Sequence, residues 1–128
     1  MVIDSSVLIA ILLQEPYASL SVSAIANSPI RFLSTATYVE ASLVIMRRRN
    51  FEAVAALDNL VEQLRISIMP VEHAQALPAR EAFRRFGKGR DKAGLNFGDC
   101  FSYALAKQTG EPLLFKGNDF SGTDITAA

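Results

Sequence analysis

The sequence predicts an α/β fold with a largely parallel sheet covered by helices on both faces, and three observations carry that prediction. Short apolar runs ("MVID", "IRFLS", "ISIMPV", "PLLF") alternate with longer segments of helical periodicity. No repeat, linker or low-complexity tract divides the 128 residues, a length that suits one domain, residues 1–128, with one core. Half of the residues are hydrophobic and the mean hydropathy is +0.21, so core burial is easily met and wholesale disorder is excluded.

The elements follow in order. A strand is expected at about Val2–Asp4 and a helix over Ser5–Leu13. Pro16 is expected to open the next helix, to about Asn27, because proline is tolerated at a first helical position. Ile30–Ser34 reads as a short strand. "TATYVEASLVIMRRR" then reads as a helix whose terminal cations suit its dipole. Asn50 can cap a helix through Leu64, with Ala53, Leu57, Leu60 and Leu64 at helical spacing. Ile66–Val71 is a strand and Glu72–Phe86 a helix. "GKGRDKAGLN" is a basic, glycine-punctuated loop. A helix over Phe97–Thr109, the "PLLF" strand and a polar tail complete the chain.

Composition excludes several classes. No Lys or Arg precedes the first apolar run and Asp4 interrupts it, so a signal peptide is not expected. The unbroken run Val7–Leu13 is far below the ~20 residues of a membrane-spanning helix. A single cysteine, Cys100, rules out an intramolecular disulfide framework and fits a reducing cytoplasm. With His73 also alone, no Cys/His zinc site can be assembled from this chain by itself. Thirteen basic and thirteen acidic residues cancel, but unevenly. Arg47–Arg49 form one basic block, and Arg80, Arg84, Arg85, Lys88, Arg90 and Lys92 another. Asp4, Glu40, Asp99 and Asp119 lie in or beside apolar or turn-like segments.

Each of these acids has a structural reading beside a functional one. Asp4 can cap the helix that follows it, yet a strand-to-helix junction at a strand's carboxyl end is where open α/β sheets build their sites. Glu40 has Ala36, Thr37, Leu43 and Val44 one helical turn away, none of them a cation. A buried, unpaired carboxylate costs several kcal/mol or titrates to neutral, so Glu40 needs a cation or hydrogen bonds from elsewhere. Asn96 and Asp99 have the spacing of a capping box, while Asp99 also stands between Phe97 and Phe101 where a first turn packs into the core. Asp119 follows two turn residues, Gly117 and Asn118, and Asp124 competes with it for the same role.

Together the four converge. Asp4 and Asp119 follow strands, and Glu40 and Asp99 fall in the early turns of helices that begin near strand ends. A parallel sheet brings such positions to one edge. Four clustered carboxylates repel, by about 4 kcal/mol per pair at ~4 Å and an effective dielectric near ~20, so a cation is called for. All-oxygen ligands that leave room for waters suit Mg²⁺ or Mn²⁺. Beside a basic surface, this implies a phosphate substrate and metal-assisted hydrolysis.

The motifs "MVIDSSVLIAILLQEP", the Glu of "TATYVEASLVI" and the Asp of "NFGDCFSYALAKQTGEPLLFKGNDFSGTDI", in that order, resemble the PIN domain. The resemblance is strongest to the VapC toxins of bacterial toxin–antitoxin pairs and covers essentially the whole chain. It implies a three-layer α/β/α sandwich and an endoribonuclease dependent on Mg²⁺ or Mn²⁺. It also implies a homodimer inhibited by a cognate VapB-like antitoxin. The family's first acid falls on Asp4, its Glu on Glu40 and its third acid on Asp99. Many members carry the fourth acid three residues before a phenylalanine, where this chain has Gly117, so Asp119 or Asn118 must fill that role. Ser5 and Ser6 are candidates to support Asp4, or to cap its helix. Arg84, Arg85, Lys88, Arg90 and Lys92 precede the Asp99 helix and are the candidate RNA contacts. An antitoxin would place an arginine in the acidic pocket and cover apolar positions such as Leu43, Ile45 or Met46.

Two other readings stand beside this one. A phosphotransferase with Asp4 as nucleophile would pair it with an acid two residues on, where this chain has Ser6. A catalytically degenerate RNA- or protein-binding module is the reading that Gly117 favours. His73 reads as a helix residue and Cys100 as a small core hydrophobe.

Overall fold

A computed structural model describes residues 1–128. The strands are β1 (Val2–Ile3), β2 (Phe32–Ser34), β3 (Ser67–Met69) and β4 (Leu113–Leu114). The helices are α1 (Ser5–Leu12), α2 (Ala18–Asn27), α3 (Thr35–Arg48), α4 (Val54–Gln63), α5 (His73–Phe86) and α6 (Phe97–Thr109), with a 3₁₀ turn over Phe51–Ala53 before α4. The strands pair in the order β3–β2–β1–β4, all parallel, with Val2 opposite both Phe32 and Leu113.

Side chains alternate across a strand, and β1 uses both faces. Ile3 joins Leu8, Ile25, Leu33, Ile45 and Leu57 beneath α1–α4, while Val2 joins Leu113, Leu105, Ala82 and Leu95 beneath α5 and α6. Two cores on opposite faces of one parallel sheet make the α/β/α sandwich. Each fully buried aliphatic side chain in them contributes about 1.5–3 kcal/mol.

Several boundaries differ from expectation, each for a local reason. Pro16 does not open α2. The reversal after α1 places Gln14 at φ +54° and Tyr17 at φ +71°, and a helix cannot run through a left-handed residue, so α2 starts at Ala18. The strands are shorter than read: β1 ends because Asp4 becomes the α1 cap, and β3 stops before Pro70, which has no N–H to pair. The tail is not merely polar. Phe120 is buried, and Leu113 bridges Ala127, so the last residues cover the outer edge of β4. Ile45 points into the core at 2% exposure, whereas Leu43 is 57% exposed. No helix is long and apolar enough to cross a membrane.

From β1 the chain builds outward through β2 to β3, then returns to place β4 on the other side of β1. Ligands of open α/β sheets bind at such a switch point, outside the strands' carboxyl ends. Here that point lies between Asp4, which follows β1, and the Lys116–Asp119 segment, which follows β4. The Asp4 N–H donates to the Leu114 carbonyl at 2.9 Å, joining the two exits.

Candidate active site

Asp4 caps α1 and is buried at the β1/β4 switch point, at 2% exposure. Its Oδ2 accepts from the Ser6 N–H at 3.0 Å and the Ser6 hydroxyl at 2.6 Å. Its Oδ1 accepts from the Ser102 hydroxyl at 2.7 Å. Ser6 Oγ in turn accepts from the Lys116 N–H at 3.0 Å, tying the exit of β4 to Asp4.

Glu40, in the second turn of α3, is half-buried and takes part in no ion pair. Its Oε2 is shut off from solvent with no hydrogen-bond partner. Burial pushes its carboxyl above the usual range. The Ser5 hydroxyl pulls it back in part, and the charge of Asp4 adds to the rise. The carboxylate lies on the backbone of Gly98, where a Cβ would stand 2.1 Å from Oε1.

Asp99 realises the capping box. Its Oδ2 accepts from the Asn96 N–H at 2.8 Å while Asn96 Oδ1 accepts from the Asp99 N–H at 2.9 Å. It is also buried, and burial raises its carboxyl to about 7. The Asn96 bond opposes that rise; the charges of Asp4, Asp119 and Glu40 add to it. That coupling is how the four acids register as one electrostatic group.

Asp119 is exposed on the loop beyond β4, and its charge reaches Asp99. Asp124 faces elsewhere. It accepts from the Tyr103 hydroxyl at 2.6 Å and pairs with Arg85 and Lys107, each at 3.2 Å. The Tyr103 bond first, then the two cations, hold its carboxyl down at about 2. Asn118 is exposed, its carbonyl accepting from Ser121 in a turn. Gly117 sits at φ +98°, a conformation glycine adopts without strain and an aspartate does not.

The basic residues divide in two. Arg84 is held by Glu81 through Nε at 2.7 Å and Nη2 at 2.6 Å, and Arg85 pairs with Asp124 and lies over the Phe86 ring. Lys88, Arg90 and Lys92 are exposed and unpaired on the loop leading to α6.

The donor set is all oxygen, which selects hard cations. No three acids already stand at ligating spacing; what links the four is charge, felt at Asp99. The orphaned Glu40 Oε2 and the room kept for its carboxylate by Gly98 fit a cation with waters in its shell. A groove of about 350 Å³ opens beside Glu40, lined also by Val39, Leu43, Asn96 and Phe97. The sequence did not single out Gly98, Ser102 or Thr37, whose hydroxyl lies 3.2 Å from that of Ser102. The available signal was spacing, since Thr37 precedes Glu40 by three residues and Ser102 follows Asp99 by three, each on the same helix face.

Comparison with known proteins gives a consistent picture. The PIN domain family model matches residues 1–125. A ribonuclease VapC of Mycolicibacterium smegmatis is 50% identical over 127 residues, covering 99% of this chain and 98% of the relative. Ribonuclease VapC30 of Mycobacterium tuberculosis is 49% identical over 125 residues, covering 98% and 95%. The crystal structure of Mycobacterium tuberculosis VapC20, a toxin that cleaves the sarcin–ricin loop, superposes with a TM-score of 0.81. It covers 99% of this chain and 97% of that one at 18% identity, a likeness of fold.

Proposed function

The chain belongs to the PIN-domain family, and from that premise we propose that residues 1–128 form a single-domain endoribonuclease toxin of the VapC type. The observation that carries this reading is 49–50% identity to VapC ribonucleases over almost the whole chain. The acids at the β1/β4 switch point are consistent with it.

Asp4, Glu40, Asp99 and Asp119 would hold a divalent cation, Mg²⁺ or Mn²⁺. Bound there, it would supply Lewis-acid polarisation of a phosphoryl oxygen and activation of the attacking water. The chain's own contribution is placement. Ser6 holds Asp4 Oδ2 and the exit of β4 together. Asn96 fixes one oxygen of Asp99 and leaves Oδ1 free to turn toward the crevice. Lys88, Arg90 and Lys92 offer phosphate contacts along the approach. Arg84 and Arg85, bound within the protein, contribute less.

The same proposal includes a cytoplasmic homodimer and a VapB-like antitoxin that seats an arginine among the acids. Exposed Val39, Leu43 and Phe97 beside Glu40 support an apolar partner surface. The lone, buried Cys100 suits a reducing compartment.

The test is induction of the wild-type chain and an Asp4→Asn variant, with sequencing of cleaved RNA ends. Discrete new ends in the wild type alone, with growth restored by the product of the adjacent gene, are expected. A harmless wild-type protein that leaves RNA intact would remove the toxin reading.

A further inference from the structure

Asp4 reaches α6 and α3 through two hydroxyls that have no contact with solvent. Ser102 Oγ donates to Asp4 Oδ1 at 2.7 Å, and Thr37 Oγ1 lies 3.2 Å from Ser102 Oγ. Ser102 and Thr37 are each 0% exposed and Asp4 is 2% exposed. A serine hydroxyl has one proton. Ser102 gives it to Asp4, so the proton between the two hydroxyls comes from Thr37. The direction of the chain is fixed: Thr37 to Ser102 to Asp4.

The chain also joins the three elements that carry Asp4, Glu40 and Asp99. Thr37 is on α3 three residues before Glu40, Ser102 is on α6 three residues after Asp99, and Asp4 ends β1. With Ser6 holding Oδ2 from the other side, both oxygens of Asp4 have fixed partners. Two buried hydroxyls packed at this point are costly to place unless each is hydrogen-bonded. The relay satisfies both, and its end point is the first acid of the cleft.

We propose that Thr37 and Ser102 are positioning residues: a buried hydroxyl relay that sets the rotation of the Asp4 carboxylate and registers α3 and α6 around the cleft. This rests on the reading of Asp4 as a metal ligand. Outer hydrogen bonds to a ligand typically change metal affinity by 10–100-fold. Ser102→Ala, which removes the direct donor, is expected to weaken Mn²⁺ binding by about 10–100-fold. Thr37→Val acts only through Ser102, so its effect has the same direction and is smaller, and Thr37→Ser retains affinity.

The experiment titrates purified protein with Mn²⁺ alone, reading free Mn²⁺ by its paramagnetic resonance, with the metal-free melting temperature measured alongside. The double variant Thr37→Val/Ser102→Ala is expected to match Ser102→Ala, because a relay has nothing left to transmit once its middle member is gone. Should Ser102→Ala not fold, Thr37→Val against Thr37→Ser decides alone. Lower melting temperatures with unchanged Mn²⁺ affinity would overturn the relay, as would additive losses in the double variant. Asp4→Asn separates the two levels. If it abolishes binding while the hydroxyl variants do not weaken it, only the relay fails. If it leaves binding intact, the metal reading fails and the relay with it.

Discussion

The carboxylate of Glu40 rests on the α-carbon side of Gly98: a methyl group added there would meet Oε1 at 2.1 Å, Cδ at 2.4 Å and Oε2 at 2.5 Å. Gly98 is buried in the first turn of α6, where no turn or left-handed conformation calls for glycine. The demand for glycine comes from across the cleft. A side chain at position 98 would compete with the acid on α3 for the same space.

Gly98→Ala therefore separates function from stability. Alanine favours a helix over glycine by about 0.8–1 kcal/mol, and the obstructing atoms are the far end of a flexible side chain. Glu40 swings away, relieving its own burial. Metal-free stability is expected to stay level or rise, measured by urea unfolding, while Mn²⁺ affinity and RNA cleavage fall by at least ten-fold. A destabilised variant with full affinity would refute this account.

Asp99 makes metal-free stability depend on pH. Its carboxyl titrates near 3.8 in the unfolded chain and about 7 in the folded one. Below the unfolded value both states hold the proton and Asp99 does not oppose folding. Above it, the unfolded state gives up a proton that the folded state keeps, so stability falls as pH rises until the folded group ionises near 7. The full effect is on the order of 4 kcal/mol. Asp99→Asn keeps an acceptor for the Asn96 N–H but cannot ionise. It should flatten the decline between about pH 4 and 7 in EDTA and abolish metal-dependent cleavage. Mn²⁺ held there would favour the ionised form, so its stabilising effect should grow across the same window. Parallel pH profiles for the two proteins would contradict the assignment.

The acids of the early chain stand out in the sequence because they break apolar patterns. Asp4 interrupts a buried segment and Glu40 lacks a helical cation, and burial makes such departures informative. The polar segment after β4 has no such pattern, so only turn context ranks Asp119 above Asp124 in the sequence; the fold adds that Tyr103 holds Asp124. Ser102 and Gly98 were hidden for a different reason. They are small residues in a helix whose neighbours decide their role, and those neighbours, Asp4 and Glu40, are far away in sequence. Pro16 misled because a general preference for the first helical turn was overridden by the reversal at Gln14 and Tyr17. The parallel sheet and its order of helices were legible from alternation alone, since a buried parallel sheet must be built from apolar runs joined by helices.

Asp119→Ala and Asp124→Ala should fail in different ways. Asp119 is exposed and makes no hydrogen bond or ion pair from its side chain, so its loss leaves the fold intact. Its cost should appear in Mn²⁺ affinity and cleavage. Asp124 joins α5, α6 and the tail through Arg85, Tyr103 and Lys107. Its loss should reduce stability by about 1 kcal/mol, a figure kept small because the side chain is 41% exposed. Asp124 titrates below its usual range, so that contribution is present above pH 4 and disappears as pH falls toward 2. Calorimetry and Mn²⁺ titration on the same two proteins decide the assignment, and a larger affinity loss in Asp124→Ala would move the fourth acid to that position.

RNA binding should divide the basic residues by whether they already have partners. Arg84 forms a two-point contact with Glu81, and Arg85 is shared between Asp124 and the Phe86 ring. Turning either toward RNA means breaking an existing contact. Lys88, Arg90 and Lys92 face solvent on a loop held at its base by the Gly87–Leu95 bridge, immediately before the Asn96–Asp99 capping box. A cation there can neutralise a phosphate without giving anything up. Each neutralised phosphate contributes about −0.7 to the slope of log affinity against log salt for single strands. Lys88→Ala and Arg90→Ala should each flatten that slope by about 0.7 and weaken RNA binding at low salt, while Mn²⁺ affinity stays unchanged. Arg84→Ala should leave the slope nearly as it was. Binding isotherms of an Asp4→Asn background, which is expected to hold RNA without cutting it, taken across a salt series give the measurement. A slope that responds to Arg84 and not to Lys88 or Arg90 would place the RNA path along α5 instead of over the loop.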